Sequence, residues 1–389
     1  MLTTNTSIEK YDILNIGSQS RCCQCGMCES VCKITPLKLT EGSNNQDYFP
    51  VSINEDACMV CKSKRCIDVC PVVGEEEELN EWLGPSVHTP VNNDFGQVKR
   101  IVIGSAKNKE IGETGSSGGV VTGLLQYLLE TKQIDGAIVV TRTSDSLGGE
   151  FVVITDPKEL INSCSSKYAP VHFGRIFNKV AKEYRNKKLA IVARPCQLRA
   201  LEKAEKVSPH LKQVITLKIS IFCAWLISRK GVEFLGSLSD VDTNNNLKSI
   251  DFRKGVWPGN ITFNTDKGSR ELPMGEDGHT NGTYYYPAVA PFIPDDCRSC
   301  FDVTGKLADI SCGDPWNLNL GPKNKKGYTM SILRTERAEK IFDSDQFRDY
   351  VETDQELTMD QLDQSQGNTI RVKKAVSYTH LTLPTTPYV

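Results

Sequence analysis

From about Lys99 the chain alternates short apolar runs with longer stretches of mixed polarity. "RIVIGSA", "IDGAIVVT", "KLAIVARP" and "VITLKISIFC" are dense in Val and Ile and read as strands. Between them "GGVVTGLLQYLLE", "RIFNKVAKEYRN" and "CQLRALEKAE" return to an apolar residue every three or four positions, as a helix does. Strand and helix in alternation predict crossover units and a mostly parallel sheet covered on both faces, over residues 99–235. From about residue 240 the texture turns irregular, rich in Gly, Asn, Asp and aromatics. There "DFRKGVWPGNITFNTDKG" predicts a hairpin, within a less regular C-terminal lobe at 236–375. Ahead of the sheet pattern lie a cysteine-punctuated module, 18–74, and a linker, 75–98, whose run Glu75 to Glu78 reads as a solvated face. The final "SYTHLTLPTTPYV" has no amphipathic period. Residues 376–389 are set aside as a non-native tail of the kind a translated adapter leaves.

Charge and composition narrow the classes. With 46 Lys and Arg against 48 Asp and Glu, a net charge of -2 and no basic stripe, the chain is not built to grip nucleic acid through phosphates. The start MLTTNTSIEKYDI lacks the charged and apolar regions of a secretory signal. The longest apolar stretch, ISIFCAWLI at 219–227, is less than half of the roughly 20 residues a membrane helix needs. These features predict a cytoplasmic protein with no membrane span. In a reducing compartment, 15 cysteines point to metal or redox chemistry more than to disulfides.

Nine of those cysteines fall between Cys22 and Cys70. Cys22-x2-Cys25-x2-Cys28-x3-Cys32 is the spacing with which a looped backbone wraps one 4Fe-4S cube with three thiolates and sends the fourth to a second cube. Cys58-x2-Cys61-x4-Cys66-x3-Cys70-Pro71 repeats it with two extra residues. Crossed ligation assigns Cys22, Cys25, Cys28 and Cys70 to one cluster and Cys58, Cys61, Cys66 and Cys32 to the other. Zinc also takes C-x2-C pairs, but two complete runs, the second closed by Cys-Pro, favour iron–sulfur. Cys23, directly beside Cys22, reads as a bystander. Lys62, Lys64 and Arg65 crowd the second run, and their charge is expected to raise the potential of the Cys58 cluster.

Such cubes pass single electrons, whereas most organic acceptors take a hydride; a flavin converts between the two. The sheet region offers a cradle for its phosphates in Ser116, Ser117, Gly118 and Gly119, which open an apolar helix, although a serine-capped helix start reads the same. Cys196 and Cys223 each fall just past the carboxyl end of a strand, where open sheets place their sites. Cys297-x2-Cys300 adds a pair from the irregular lobe. Two buried thiols plus a zinc clip is the competing reading of these four. Cys164 and Cys312 read as packing thiols. The histidines, His88, His172, His210, His279 and His380, form no metal spacing, and no catalytic acid–base group stands out.

Taken together, residues 18–74 resemble a bacterial-type two-cluster ferredoxin domain. "SSGGVVTGLLQYLLE", "IDGAIVV", "SSKYAP", "LAIVARPCQLRAL", "ISIFCAW" and "CRSCFDVTGKLADISCGDPW" resemble the coenzyme F420 hydrogenase/dehydrogenase beta subunit family, over roughly residues 18–335. The resemblance implies an α+β ferredoxin-like cluster domain followed by an α/β flavin domain. It also implies electron relay to FAD and hydride exchange with the deazaflavin coenzyme F420, beside a partner subunit or ferredoxin. Carried over residue by residue, it implies FAD contacts at Ser116, Ser117, Gly118, Gly119, Thr122, Lys167 and Tyr168. A third cluster is implied at Cys196, Cys223, Cys297 and Cys300. Arg194 departs from the pattern, which has a small or hydroxyl residue before Pro-Cys-Gln. Two alternatives stay open: reduction of another ring, as in the related plant 7-hydroxymethyl chlorophyll a reductase, and a pure electron-transfer subunit.

Overall fold

The computed structural model describes residues 13, 22–33, 37–41, 48–52, 54–74, 94–143, 147–273, 289–320 and 327–382. The acidic run, His88, His279 and the last seven residues lie outside them. Within the cysteine-rich module, β1 (Leu37–Glu41) pairs antiparallel with β2 (Tyr48–Ser52), and the helical turn α1 covers Met27–Val31.

The apolar runs become β3 (Arg100–Ala106), β4 (Gly136–Arg142), β6 (Leu189–Ala193) and β7 (Ile215–Ile221), with β5 (Gly149–Ile154) added at one edge. The long buried runs of β3, β4 and β6 are what a strand covered on both faces requires, whereas β7 alternates buried and half-buried residues and the edge strand β5 is only partly buried. The hairpin forms as expected from β8 (Leu247–Lys254) and β9 (Asn260–Thr265), and β10 (Gly268–Pro273) extends it to three strands. The large sheet has eight strands in the order β13-β3-β12-β11-β7-β6-β4-β5, where β11 is Ile310–Gly313, β12 Thr329–Leu333 and β13 Val351–Glu356. It therefore draws strands from both sides of residue 235, so the two spans expected as flavin domain and C-terminal lobe share one sheet. It is mixed: β4, β6, β7 and β11 form a parallel core, and β3 points the same way. Strands β5, β12 and β13 run opposite.

One face of this sheet packs on α2 (Val120–Glu130), whose Leu124, Leu125 and Leu128 are wholly buried. The other face packs on α3 (Pro195–Val207). Pro195 occupies the first turn, where its missing N–H costs no helical bond. The cysteine-rich module seats on this side, and Met27, Leu37 and Val69 share one core with Phe173, Leu198 and Leu201. Burying each such side chain stabilises the seat by about 1.5–3 kcal/mol. Backbone and side chains fix its register. Phe173 and Gly174 both donate N–H to the Cys25 carbonyl, at 3.0 and 2.9 Å. Lys203 donates to the Cys70 (2.9 Å) and Val73 carbonyls, and His172 Nε2 meets Glu29 at 2.9 Å.

At the far end the helix α5 (Asn368–Thr382) runs on into the stretch set aside as non-native, and Ser377 is buried. Among the described residues no helix is long and apolar enough to cross a membrane.

Candidate functional site

Because β3, β4, β6, β7 and β11 share a direction, their carboxyl ends meet at one edge of the sheet. A cavity of about 300 Å³ opens there, within the range of small-molecule sites. Val139, Val140, Phe151, Val171 and Val192 form an apolar wall, and Ser116, Ser117, Ser166, Lys167 and Asp314 form a polar edge. An amphipathic ligand, ring at one end and anionic tail at the other, matches that division.

Of the residues expected to touch a flavin, Ser116, Ser117, Gly119, Thr122, Lys167 and Tyr168 line the cavity, and Gly118 does not. Gly118 and Gly119 both have left-handed backbone, φ +70° and +77°, which glycine adopts without strain. A Cβ at Gly118 would stand 3.1 Å from the Gly327 carbonyl oxygen and from Thr329 N. This glycine is therefore needed to seat the helix start on neighbouring strands. The serine hydroxyls are also occupied: Ser116 Oγ accepts the Ser166 N–H at 2.8 Å, and Ser117 Oγ donates to the Tyr328 carbonyl at 2.7 Å. What this edge offers an anion is the positive end of the 11-residue α2. Lys167 spends its three donors on the carbonyls of Ser163, Cys164 and Ser165 at 2.8, 2.8 and 3.1 Å, so it acts on the cavity as a charge and as the peg of its own loop. Cys164 and Cys312, expected as packing thiols, are buried and reach the cavity lining.

Arg253, from the three-stranded sheet, closes the polar edge. It donates to Asp314 Oδ1 and Oδ2 (2.9 and 3.0 Å), to the Ser116 carbonyl (3.1 Å) and to Tyr168 Oη (3.3 Å). Sequence reasoning missed Arg253 and Asp314. Arg253 stands in no spaced motif, Asp314 falls in the run "ADISCGDPW" with no spacing that marks it, and only folding brings strand β8 to the loop after β11.

The remaining cysteines fall into three groups. Cys22, Cys25 and Cys28 surround the start of α1, where Gly26 takes φ +74° beneath the His172 ring, and Cys70 returns to them from the second run. Burial pushes Cys22 up to about 12 and Cys70 to about 11. Burial followed by the sulfurs of Cys32, Cys58 and Cys61 pushes Cys66 to about 11. Cys61 behaves oppositely: half-buried, with Ser63 Oγ at 3.4 Å, it is lowered by that hydroxyl and by Lys64. The third group comprises Cys196 in the first turn of α3, Cys223 past β7 and Cys297 on α4 (Asp295–Ser299). Cys300 borders a small crevice with Cys196 and Cys23. Cys23, set aside in the sequence as a bystander, is buried within hydrogen-bonding reach of both Cys25 and Cys196, where the first and third groups meet. Among the described residues no three His, Cys, Asp or Glu side chains close on a single ion. Thiolates gathered in low dielectric repel one another, and a cationic metal core relieves that cost.

The chain matches the family described as coenzyme F420 hydrogenase/dehydrogenase beta subunit, with the N-terminal part over residues 101–178 and the C-terminal part over 186–358. It is 26% identical over 332 residues to a subunit of the F(420)H(2) dehydrogenase of Methanosarcina mazei, covering 83% of this chain and 81% of that protein. To the beta subunit of the coenzyme F420 hydrogenase of Methanococcus voltae it is 26% identical, covering 63% of this chain and 80% of the other. A coenzyme F420-dependent sulfite reductase of Methanocaldococcus jannaschii is 25% identical across 85% of this chain and 47% of its own length. A chain of the F420-reducing [NiFe] hydrogenase complex from Methanosarcina barkeri has the same fold, with a TM-score of 0.58 at 19% identity. That alignment covers 77% of this chain and all of that one.

Proposed function

The chain belongs to the coenzyme F420 hydrogenase/dehydrogenase beta subunit family and is an F420-linked oxidoreductase; from that premise we propose that it relays electrons through three 4Fe-4S groups to FAD and exchanges a hydride with the deazaflavin ring. The observation that carries this reading is the grading of the thiols. Cys61 is half-buried beside the exposed Lys62, Ser63 and Lys64, Cys25, Cys28 and Cys70 are buried with the half-buried Cys22 where the module meets the sheet, and Cys223 forms part of the cavity wall.

The crossed ligand sets hold the first two clusters, and Cys196, Cys223, Cys297 and Cys300 hold the third. When bound, the clusters supply one-electron carriage and the flavin supplies conversion to a hydride. The chain's own residues do the rest. The outer edge at Cys58 and Cys61, beside the exposed Lys62, Ser63 and Lys64, admits a redox partner, a subunit or a ferredoxin. The apolar wall excludes water and aligns the rings, and the start of α2 takes the anionic tail.

Anaerobically purified protein is expected to contain about twelve irons and one FAD, and adding reduced deazaflavin should bleach the flavin band. Bound flavin that stays oxidised points instead to another ring as substrate, and absence of flavin to a pure electron-transfer subunit. The charge on Lys167 gives a second expectation. Burial, followed by Arg142, lowers this lysine to about 8, so its cation is present below that pH and lost above it. FAD affinity, followed by fluorescence quenching, should weaken several-fold from about pH 7 to about pH 9. In Lys167→Met it should be weak and flat across the same interval.

A further inference from the structure

We infer that Arg194 and Asp296 polarise the third thiol group, with the Arg194 guanidinium holding its cavity side electropositive and the Asp296 carboxylate holding its module side electronegative, so that an electron is drawn toward the cavity. The inference rests on the reading that this group holds a redox centre.

Arg194 has a setting unusual for a cation. It stands between β6 and α3, its backbone N–H donates to Gln197 Oε1 at 3.0 Å, and its side chain forms part of the cavity wall with Cys223. Its Nη2 is sealed from solvent and has no hydrogen-bond partner. Burial opposes the charge, and the groups that sustain it are Cys196, Cys223, Cys297 and Cys23. A guanidinium whose Nη2 is sealed and unpaired beside these sulfurs is placed to meet an anionic centre. Such a centre would accept the hydrogen bond that Nη2 lacks.

Asp296 lies on the other side. It borders the crevice shared by Cys23, Cys196 and Cys300, and its charge bears on Cys22 and Cys70 of the module as well as on Cys196 and Cys297. Cys223 instead answers to Arg194 and then to Lys373, whose ammonium donates to the Cys297 carbonyl at 2.7 Å. Asp302, the other carboxylate acting on Cys223, is itself engaged by the N–H groups of Gly305 (2.7 Å) and Lys306 (3.0 Å). A cation beside a cluster favours its reduced, more negative form, and an anion disfavours it. Arg194 thus favours the reduced form of the third cluster from its cavity side, and Asp296 disfavours it at the module side and in the buried module cluster.

The test is an anaerobic potentiometric titration followed by electron paramagnetic resonance, with iron content measured on each sample. Signals are assigned by their loss in Cys70→Ala and in Cys223→Ala. Arg194→Gln is expected to keep its iron and to move the third signal negative by at least 59 mV, a tenfold fall in the reduced-to-oxidised ratio at fixed potential. Arg194→Lys should recover part of that shift. Asp296→Asn should move both the buried module signal and the third signal positive and leave the outer module signal in place. An unmoved third midpoint in Arg194→Gln and Arg194→Lys, with iron intact, overturns the inference alone. Wild-type protein with about eight irons and no third signal overturns the reading beneath it, and this inference with it.

Discussion

Replacing Gly174 by Ala is expected to lift the cysteine-rich module from the sheet without removing any thiol. A Cβ at this position would overlap the Gly26 carbonyl and come within 2.8 Å of Met27 N. These are backbone atoms of the loop that presents Cys25 and Cys28, so neither partner moves without dragging the thiols. Overpacking of this kind costs about 1–3 kcal/mol and more where backbone must shift. It also pulls apart the N–H donations from Phe173 and Gly174 to the Cys25 carbonyl. Hydrogen exchange should show faster opening of residues 22–33 at unchanged iron content, and stopped-flow reduction of the flavin through the module should slow by at least roughly tenfold, since transfer depends on positioning. Unaltered exchange and an unaltered rate would show that the close approach of Gly26 and Gly174 does not hold the module.

The second expectation concerns which thiols act together. In Cys70→Ala about four of about twelve irons should be lost, and the lost signal should be that of the buried cluster shared with Cys22, Cys25 and Cys28. If Cys70 served the cluster of its own run, the same substitution would erase the outer signal instead. The geometry favours the first outcome. Cys70 is buried, and its sulfur acts on Cys22, Cys25 and Cys28, whereas Cys66 feels Cys32, Cys58 and Cys61. Lys203, which holds the Cys70 carbonyl from α3, keeps that end of the run on the buried side.

Much of this arrangement is legible in the chain itself. The apolar runs at β3, β4, β6 and β7 and the helices between them follow from period and branching. The hairpin at β8 and β9 follows from its turn residues. The cysteine spacings are legible because a short loop that brings successive thiols to one place is the pattern a 4Fe-4S cube requires. The serine–glycine start of α2 was legible as a site, though not in its workings. Its hydroxyls and Gly118 serve the fold, and the helix terminus faces the cavity. Nothing in "TMSIL" or "VETDQE" announces that these segments flank β3 in the large sheet.

By itself, the order of residues determined the local spacing of the thiols and the strand–helix alternation, because those depend on neighbours a few positions apart. Tertiary structure decided which thiols meet across the module boundary, why Cys23 lies between two groups, how Arg194 and Asp314 come to line one cavity with Arg253 bracing it, and how Asp296 comes to the crevice beside Cys196. Such meetings join segments tens to hundreds of residues apart. They are selected by burial and close packing of the whole sheet, for which no local pattern is a record.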